Sequence, residues 1–164
     1  MSGIVSSITK MFNANIAVFL CAMLPIVELR GAIPLGAALN VHPVLNFLIS
    51  IVGNLLPVPF ILLFINQVLK FLKRFKFTRR VVEWVERKLD KLVTKHKNIT
   101  FWGLVFFVAI PLPGTGAWTG ALLADFFKLG FWKSFLAIVI GVLIAGTIVS
   151  LIAYGALGFL NFLI

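Results

Sequence analysis

Two charges, Glu28 and Arg30, stand two positions apart in a stretch that is otherwise uncharged from Ile16 to Leu39. At the centre of a bilayer either charge costs about 2.5 to 3.5 kcal/mol on the lenient insertion scale, so such residues are kept where they have a use. On a helix their side chains diverge. On a turn, Glu28 can take a proton or a cation while the planar fork of Arg30 faces an anionic group. The competing reading is an ion pair that closes on itself, or across a dimer, and locks the local backbone.

A second chemical stretch is Pro111-Leu112-Pro113-Gly114-Thr115-Gly116, followed by a small-residue run that begins at Ala117. Glycine lets the backbone approach a ligand closely, and the first amides of a helix are unpaired donors at the positive end of its dipole. Pro111, Gly114, Thr115 and Gly116 therefore suit a cradle for a phosphate or carboxylate; a Gly/Pro turn that only reverses the chain is equally compatible. Thr115 and Thr119 offer hydroxyls and Trp118 an aromatic wall. Asp125 is either a proton site or an interfacial partner of Lys128. Asn54, next to the Pro57-Val58-Pro59 kink, is a further candidate contact for substrate or ion.

Other chemistries find no support. No Lys-Ser/Thr pair follows Gly116, so the stretch is not a P-loop, and neither HExxH nor a nucleophile and base pair occurs. Cys21 is the sole cysteine and His42 and His96 stand far apart, which gives no expectation of a disulfide, a metal or another cofactor. A non-enzyme is expected.

These residues must be positioned inside a membrane. Of the 164 residues, 61% are hydrophobic and 12% charged, too apolar for a water-exposed surface. At about 20 residues per crossing the chain allows about three to six full or partial passes. So few passes predict a homo-oligomer, a dimer being favoured. Lys10 leads into an apolar run without a small-residue cleavage site, so the N-terminus is read as part of the mature fold.

Eleven of the 15 Lys and Arg residues lie between Lys70 and Lys97, offset by Glu83, Glu86 and Asp90. The positive-inside rule makes residues 70–98 cytoplasmic. Val81, Val85, Leu89 and Leu92 recur at helical spacing, which predicts a basic amphipathic helix from about Thr78 to Lys95 along the inner leaflet, in contact with anionic lipid. Nucleic acid is not an expected partner, for aromatic residues are too few here for stacking. Asn98-Ile99-Thr100 matches a glycosylation sequon that has no meaning on that side.

The basic segment separates two halves of similar plan, residues 1–69 and 99–164, within one membrane domain. Each has an apolar arm (Ile16 to Leu24; Phe101 to Ile110), a polar or Pro/Gly break (Pro25 to Arg30; Pro111 to Gly116), a small-residue arm (Gly31 to Leu39; Ala117 to Ala124) and a long span, the latter from about Val44 to Leu69 and from near Phe131. The arms are about ten residues long, half a crossing. Residues from about Asn13 to Asn40 and from about Thr100 to Phe127 are therefore expected to be re-entrant hairpins. Irregular backbone is tolerated at membrane depth only against protein or a watery cavity, so the two tips should meet. With the middle cytoplasmic, the first hairpin enters from outside and the second from inside. The expected fold is an all-α integral membrane protein of two inverted repeats, each a re-entrant hairpin plus a long transmembrane helix, joined by the basic helix. Inverted repeats with broken helices near the midplane are a plan of secondary transporters.

The stretch Pro25-Ile26-Val27-Glu28-Leu29-Arg30-Gly31-Ala32-Ile33-Pro34-Leu35-Gly36, followed by Pro111-Leu112-Pro113-Gly114-Thr115-Gly116-Ala117-Trp118-Thr119-Gly120, resembles the prokaryotic small multidrug export family over nearly the whole chain. More distantly it resembles the DedA and VTT-domain membrane proteins, associated with moving lipids, although it lacks the second acidic residue and the arginine-rich motif of DedA proteins. The resemblance implies a transporter in the prokaryotic cytoplasmic membrane. Two substrate classes remain open. A lipid-linked phosphate would engage Arg30 and the amides of Gly114 to Gly116, whereas a hydrophobic drug-like cation would engage Glu28 or Asp125 beside Trp118. Proton coupling through a carboxylate is compatible with both. The alternatives are a passive membrane scaffold and, with less support, an intramembrane lipid enzyme.

Overall fold

The computed structural model describes residues 2–64, 101–112, 114–126 and 129–163, and these are helical with connecting turns. The expected basic helix over 78–95, Pro113 and Lys128 lie outside the described residues. The helices are α1 (Ser2–Met23), α2 (Glu28–Ala38), α3 (Pro43–Leu55), α4 (Phe101–Ala109), α5 (Ala117–Phe126) and α6 (Phe131–Leu163).

Each half contains a helical hairpin beside a long helix. In the first half, α1 runs into a turn over 24–27 that contains Pro25, and α2 returns. α2 ends in a Schellman motif: Asn40 takes the left-handed conformation with φ 57°, and the Val41 and Asn40 amides donate to the carbonyls of Gly36 and Ala37. Pro43 then opens α3 at its first turn, where its missing N–H costs nothing. α3 stops at Leu55, because Pro57 and Pro59 cannot donate to the preceding turn, and helix resumes over 58–64. The kink interrupts a segment, Pro43–Phe64, that is long and apolar enough to cross a membrane; Phe131–Ala156 of α6 is the second such segment.

Glycines set the register of these helices. A Cβ on Gly53 would press on the Phe19 carbonyl and Ala22, late in both helices, while Asn13 and Ala17 line a pocket with Val41 and Leu45 at the start of α3, so α1 and α3 run in the same direction. A Cβ on Gly141 would press on Val108 and the Val105 carbonyl, and one on Gly120 on Val108, which seats α4 and α5 on the first part of α6. Gly146 faces Phe47 and Ile51 while Tyr154 bonds Asn46, so α3 and α6 are antiparallel. Small residues at such crossings let helix backbones approach closely where apolar lipid gives no hydrophobic drive to associate.

The core unites both halves. Leu29 and Ile33 of α2 meet Ile51 and Val58 of the first long segment, Leu104, Val105 and Val108 of α4, three alanines of α5, and Ile138 and Val142 of α6. Buried with them are Asn46, Ser50, Asn54 and Ser134, all 0% exposed, while Leu48, Val52, Phe60, Phe106, Trp132 and Leu151 face outward. Polar groups inside and large apolar ones outside suit a lipid solvent.

Candidate functional site: a buried ion pair where the two tips meet

The turn after α1 and the turn before α5 lie against each other, as expected of the two tips, and Glu28 is the centre of the contact. Its left-handed backbone, φ 50°, is unusual for a residue with a side chain and costs about 1 to 2 kcal/mol. α2 begins at this residue rather than at Gly31, so Glu28 and Arg30 stand on its first turn and not on a free polar tip. Their side chains do not diverge: Arg30 Nη1 donates to Glu28 Oε2 at 3.2 Å. The Glu28 side chain is 5% exposed and that of Arg30 16%.

Both members of the pair reach across to the second half. The Trp118 amide donates to Glu28 Oε1 at 3.3 Å, so the positive end of α5 holds a carboxylate, as the sequence suggests, but the carboxylate belongs to the chain itself. Gly116 sits against this group, and a Cβ there would overlap it. Arg30 Nη2 donates to the Ile110 carbonyl at 3.0 Å and Thr115 Oγ1 at 3.1 Å, with the Val108 carbonyl at 3.4 Å. The Thr115 hydroxyl, within 2.7 Å of the Ile110 carbonyl and 2.9 Å of that of Leu112, shapes this turn. Gly114 takes φ 85°, which glycine adopts freely.

A pocket of about 320 Å³ opens at this junction, lined from the first tip by Pro25, Ile26, Val27, Glu28, Arg30 and Gly31 and from the second by Pro111, Gly114 and Thr119. Of the other candidates, Trp118, Asp125 and Asn54 are not part of this lining. Trp118 is a staple instead of a pocket wall, its indole N–H donating to the Met23 carbonyl at 3.2 Å. The Thr119 hydroxyl bonds the Gly116 carbonyl at 3.1 Å. Asp125, half-buried near the end of α5, is nine residues or about 13 Å of helix from Gly116 and does not join the pocket. Asn54 is fully buried on α3, outside the pocket lining.

Sequence reasoning singled out Asn54 but not Asn46, Ser50 or Tyr154. Asn46 Nδ2 donates to the Ile33 carbonyl at 2.8 Å and to Tyr154 Oη at 2.9 Å, and Tyr154 donates to the Val41 carbonyl at 2.8 Å. The available signal was the four-residue spacing of Asn46, Ser50 and Asn54, which puts three polar groups on one face of an apolar helix.

Two apolar helical hairpins closed over an internal ion pair, flanked by two helices of spanning length, define a helical membrane protein with a polar centre. The family model described as "Putative small multi-drug export protein" matches residues 28–148. The chain belongs to that family, as its two motifs suggest. No curated protein and no solved structure matches it.

Proposed function

We propose that this protein exchanges an amphiphilic substrate for protons across the cytoplasmic membrane, with the substrate in the tip pocket and the proton on Glu28. The observation that carries this reading is the placement of a nearly inaccessible carboxylate in the wall of a pocket built by both tips. Intramembrane carboxylates in such positions are proton or ion sites in transporters. The family's description as export proteins adds direction, from the cytoplasm outward.

The register of the helices supports a place for the tips at mid-depth. Gly36 is against Asn46, and α2 and α3 are antiparallel, so Glu28, eight residues before Gly36, is level with Asn54, eight residues after Asn46. Asn54 is near the middle of Pro43–Phe64. By the same reasoning the seat of Val108 on Gly141 puts the second tip near the middle of Phe131–Ala156. This register supports reading both tips as re-entrant at mid-depth and the two halves, whose long helices are antiparallel, as an inverted repeat.

A drug-like cation is the substrate class favoured by family membership. Arg30 supports it too, because its bonds to Ile110 and Thr115 can hold the guanidinium in place when Glu28 turns to another partner. An anionic head group is the second reading, favoured by the docking of Glu28 on the α5 N-terminus: protonating Glu28 would leave Arg30 and that terminus to an external anion. The sign of the pH dependence separates the two. A cation competes with the proton, so its affinity falls as pH falls; an anion binds together with the proton, so its affinity rises. Binding of tetraphenylphosphonium and of a polyprenyl phosphate to the detergent-purified protein across pH, in wild type and Glu28→Gln, tests this. Cation binding that weakens in acid and is lost in the variant is the expected result. Binding of neither probe would favour a scaffold.

A further inference from the structure

We infer that the Asn46–Ser50–Asn54 face of α3 is a water-holding file that carries protons to and from Glu28, from the end of the first hairpin where residues 39–42 lie. The inference rests on the proton role of Glu28 proposed above. All three side chains are 0% exposed, and they recur every fourth residue, so they stack on one face about 6 Å apart per step. Asn46 donates both amide protons, to the Ile33 carbonyl and Tyr154, and its oxygen accepts from the Ser50 hydroxyl at 3.4 Å, which leaves that oxygen one acceptor site. In Asn54, neither the amide nitrogen nor the amide oxygen has a hydrogen-bond partner. A buried amide left in that condition costs about 1 to 3 kcal/mol on protein-based scales.

The chemistry of the orphaned amide names its ligand. Asn54 presents a donor and an acceptor together, and water answers both, whereas a cation would answer only the oxygen. α6 offers a second orphan, the buried Ser150 hydroxyl, one turn from Gly146, which faces Phe47 and Ile51, and one turn from Tyr154, which bonds Asn46. Buried waters typically settle among several such groups.

The file runs from a pocket at one end to the level of Glu28 at the other. Its lower end adjoins a pocket of about 530 Å³ lined by Asn13, Ala38, Asn40, Val41, His42 and Leu45 among others, and Tyr154 ties Asn46 to Val41 of that lining. Its upper end, Asn54, is level with Glu28 by the Gly36 to Asn46 contact. The contact of Gly53 with Phe19 and Ala22, just before the first tip, gives the same level independently. At Glu28 the groups in contact are Arg30 on its own helix and the Trp118 amide of α5; His42 is the titratable side chain at the lower pocket.

The test is hydrogen–deuterium exchange of the Glu28 carboxyl in the full-length protein reconstituted in lipid bilayers, at a pH acid enough to protonate it, followed by the infrared stretch of the protonated acid. Glu28→Gln assigns the band. Asn54→Leu, which fills the site with an apolar side chain of similar size, should slow exchange about tenfold or more. Ser50→Ala, the milder change, should slow it as well, and Asn54→Ser should restore it in part. Exchange at the wild-type rate in folded Asn54→Leu and Ser50→Ala would overturn the file and leave the role of Glu28 standing. If Glu28→Gln removes no carboxyl band at any pH at which the protein stays folded, the proton role fails and the file with it.

Discussion

At the scale of the residue, Glu28 is held by two kinds of positive group, a guanidinium and a helix N-terminus, in a place nearly closed to water. Removing one partner strands the other, so Arg30→Met should destabilise the protein by about 3 to 5 kcal/mol, while Glu28→Gln with Arg30→Met should recover much of the loss. A double-mutant cycle on unfolding in detergent measures this, and additive losses would deny the pairing. The glycines of the second tip make a sharper contrast. Gly116→Ala would drive a methyl into the Glu28 carboxylate and should cost about 1 to 3 kcal/mol with loss of binding. Gly114→Ala meets open space and bears only the cost of its positive φ, about 1 to 2 kcal/mol, with the pocket intact. Glu28 and Arg30 were legible in the sequence because charge is expensive in lipid. The stapling by Trp118 was not, for it depends on a backbone amide and on a Met23 carbonyl that residue types do not announce.

Among the elements, the breaks were the legible part. Pro25, Pro111 and the glycines mark both turns, and Pro57 and Pro59 mark the kink after α3. The start of α2 was misplaced by three residues, because Glu28 enters the helix through a left-handed backbone that side-chain patterning disfavours. Helix approach is governed by glycines whose neighbours come from distant sequence, such as Gly141 against Val105 and Val108. Gly141→Leu should wedge α4 away from α6 and lower thermal stability in detergent by more than the same change at Gly155, where a side chain meets open space. Equal losses would mean that the α4–α6 contact does not hold the second hairpin in place.

Across the whole molecule, both halves follow the same order of hairpin and long helix, and the long helices are antiparallel. That order of helices was visible in the alternation of apolar runs and breaks; the pairing of the tips had only a general reason behind it, that irregular backbone in lipid needs protein to cover it. If the first hairpin is re-entrant, its two ends open on one side. In a Cys21→Ser background, Asn13→Cys and Asn40→Cys should both react with a membrane-impermeant thiol reagent from the same side of oriented vesicles. Reaction from opposite sides would make α1 and α2 together a single crossing and exclude a re-entrant hairpin. The most direct measurement is proton movement in vesicles that contain the protein and a trapped pH indicator, driven by a gradient of tetraphenylphosphonium. Protons moving against the cation in wild type and not in Glu28→Gln is the predicted result; cation movement without protons, or proton exchange that survives Glu28→Gln, would contradict it.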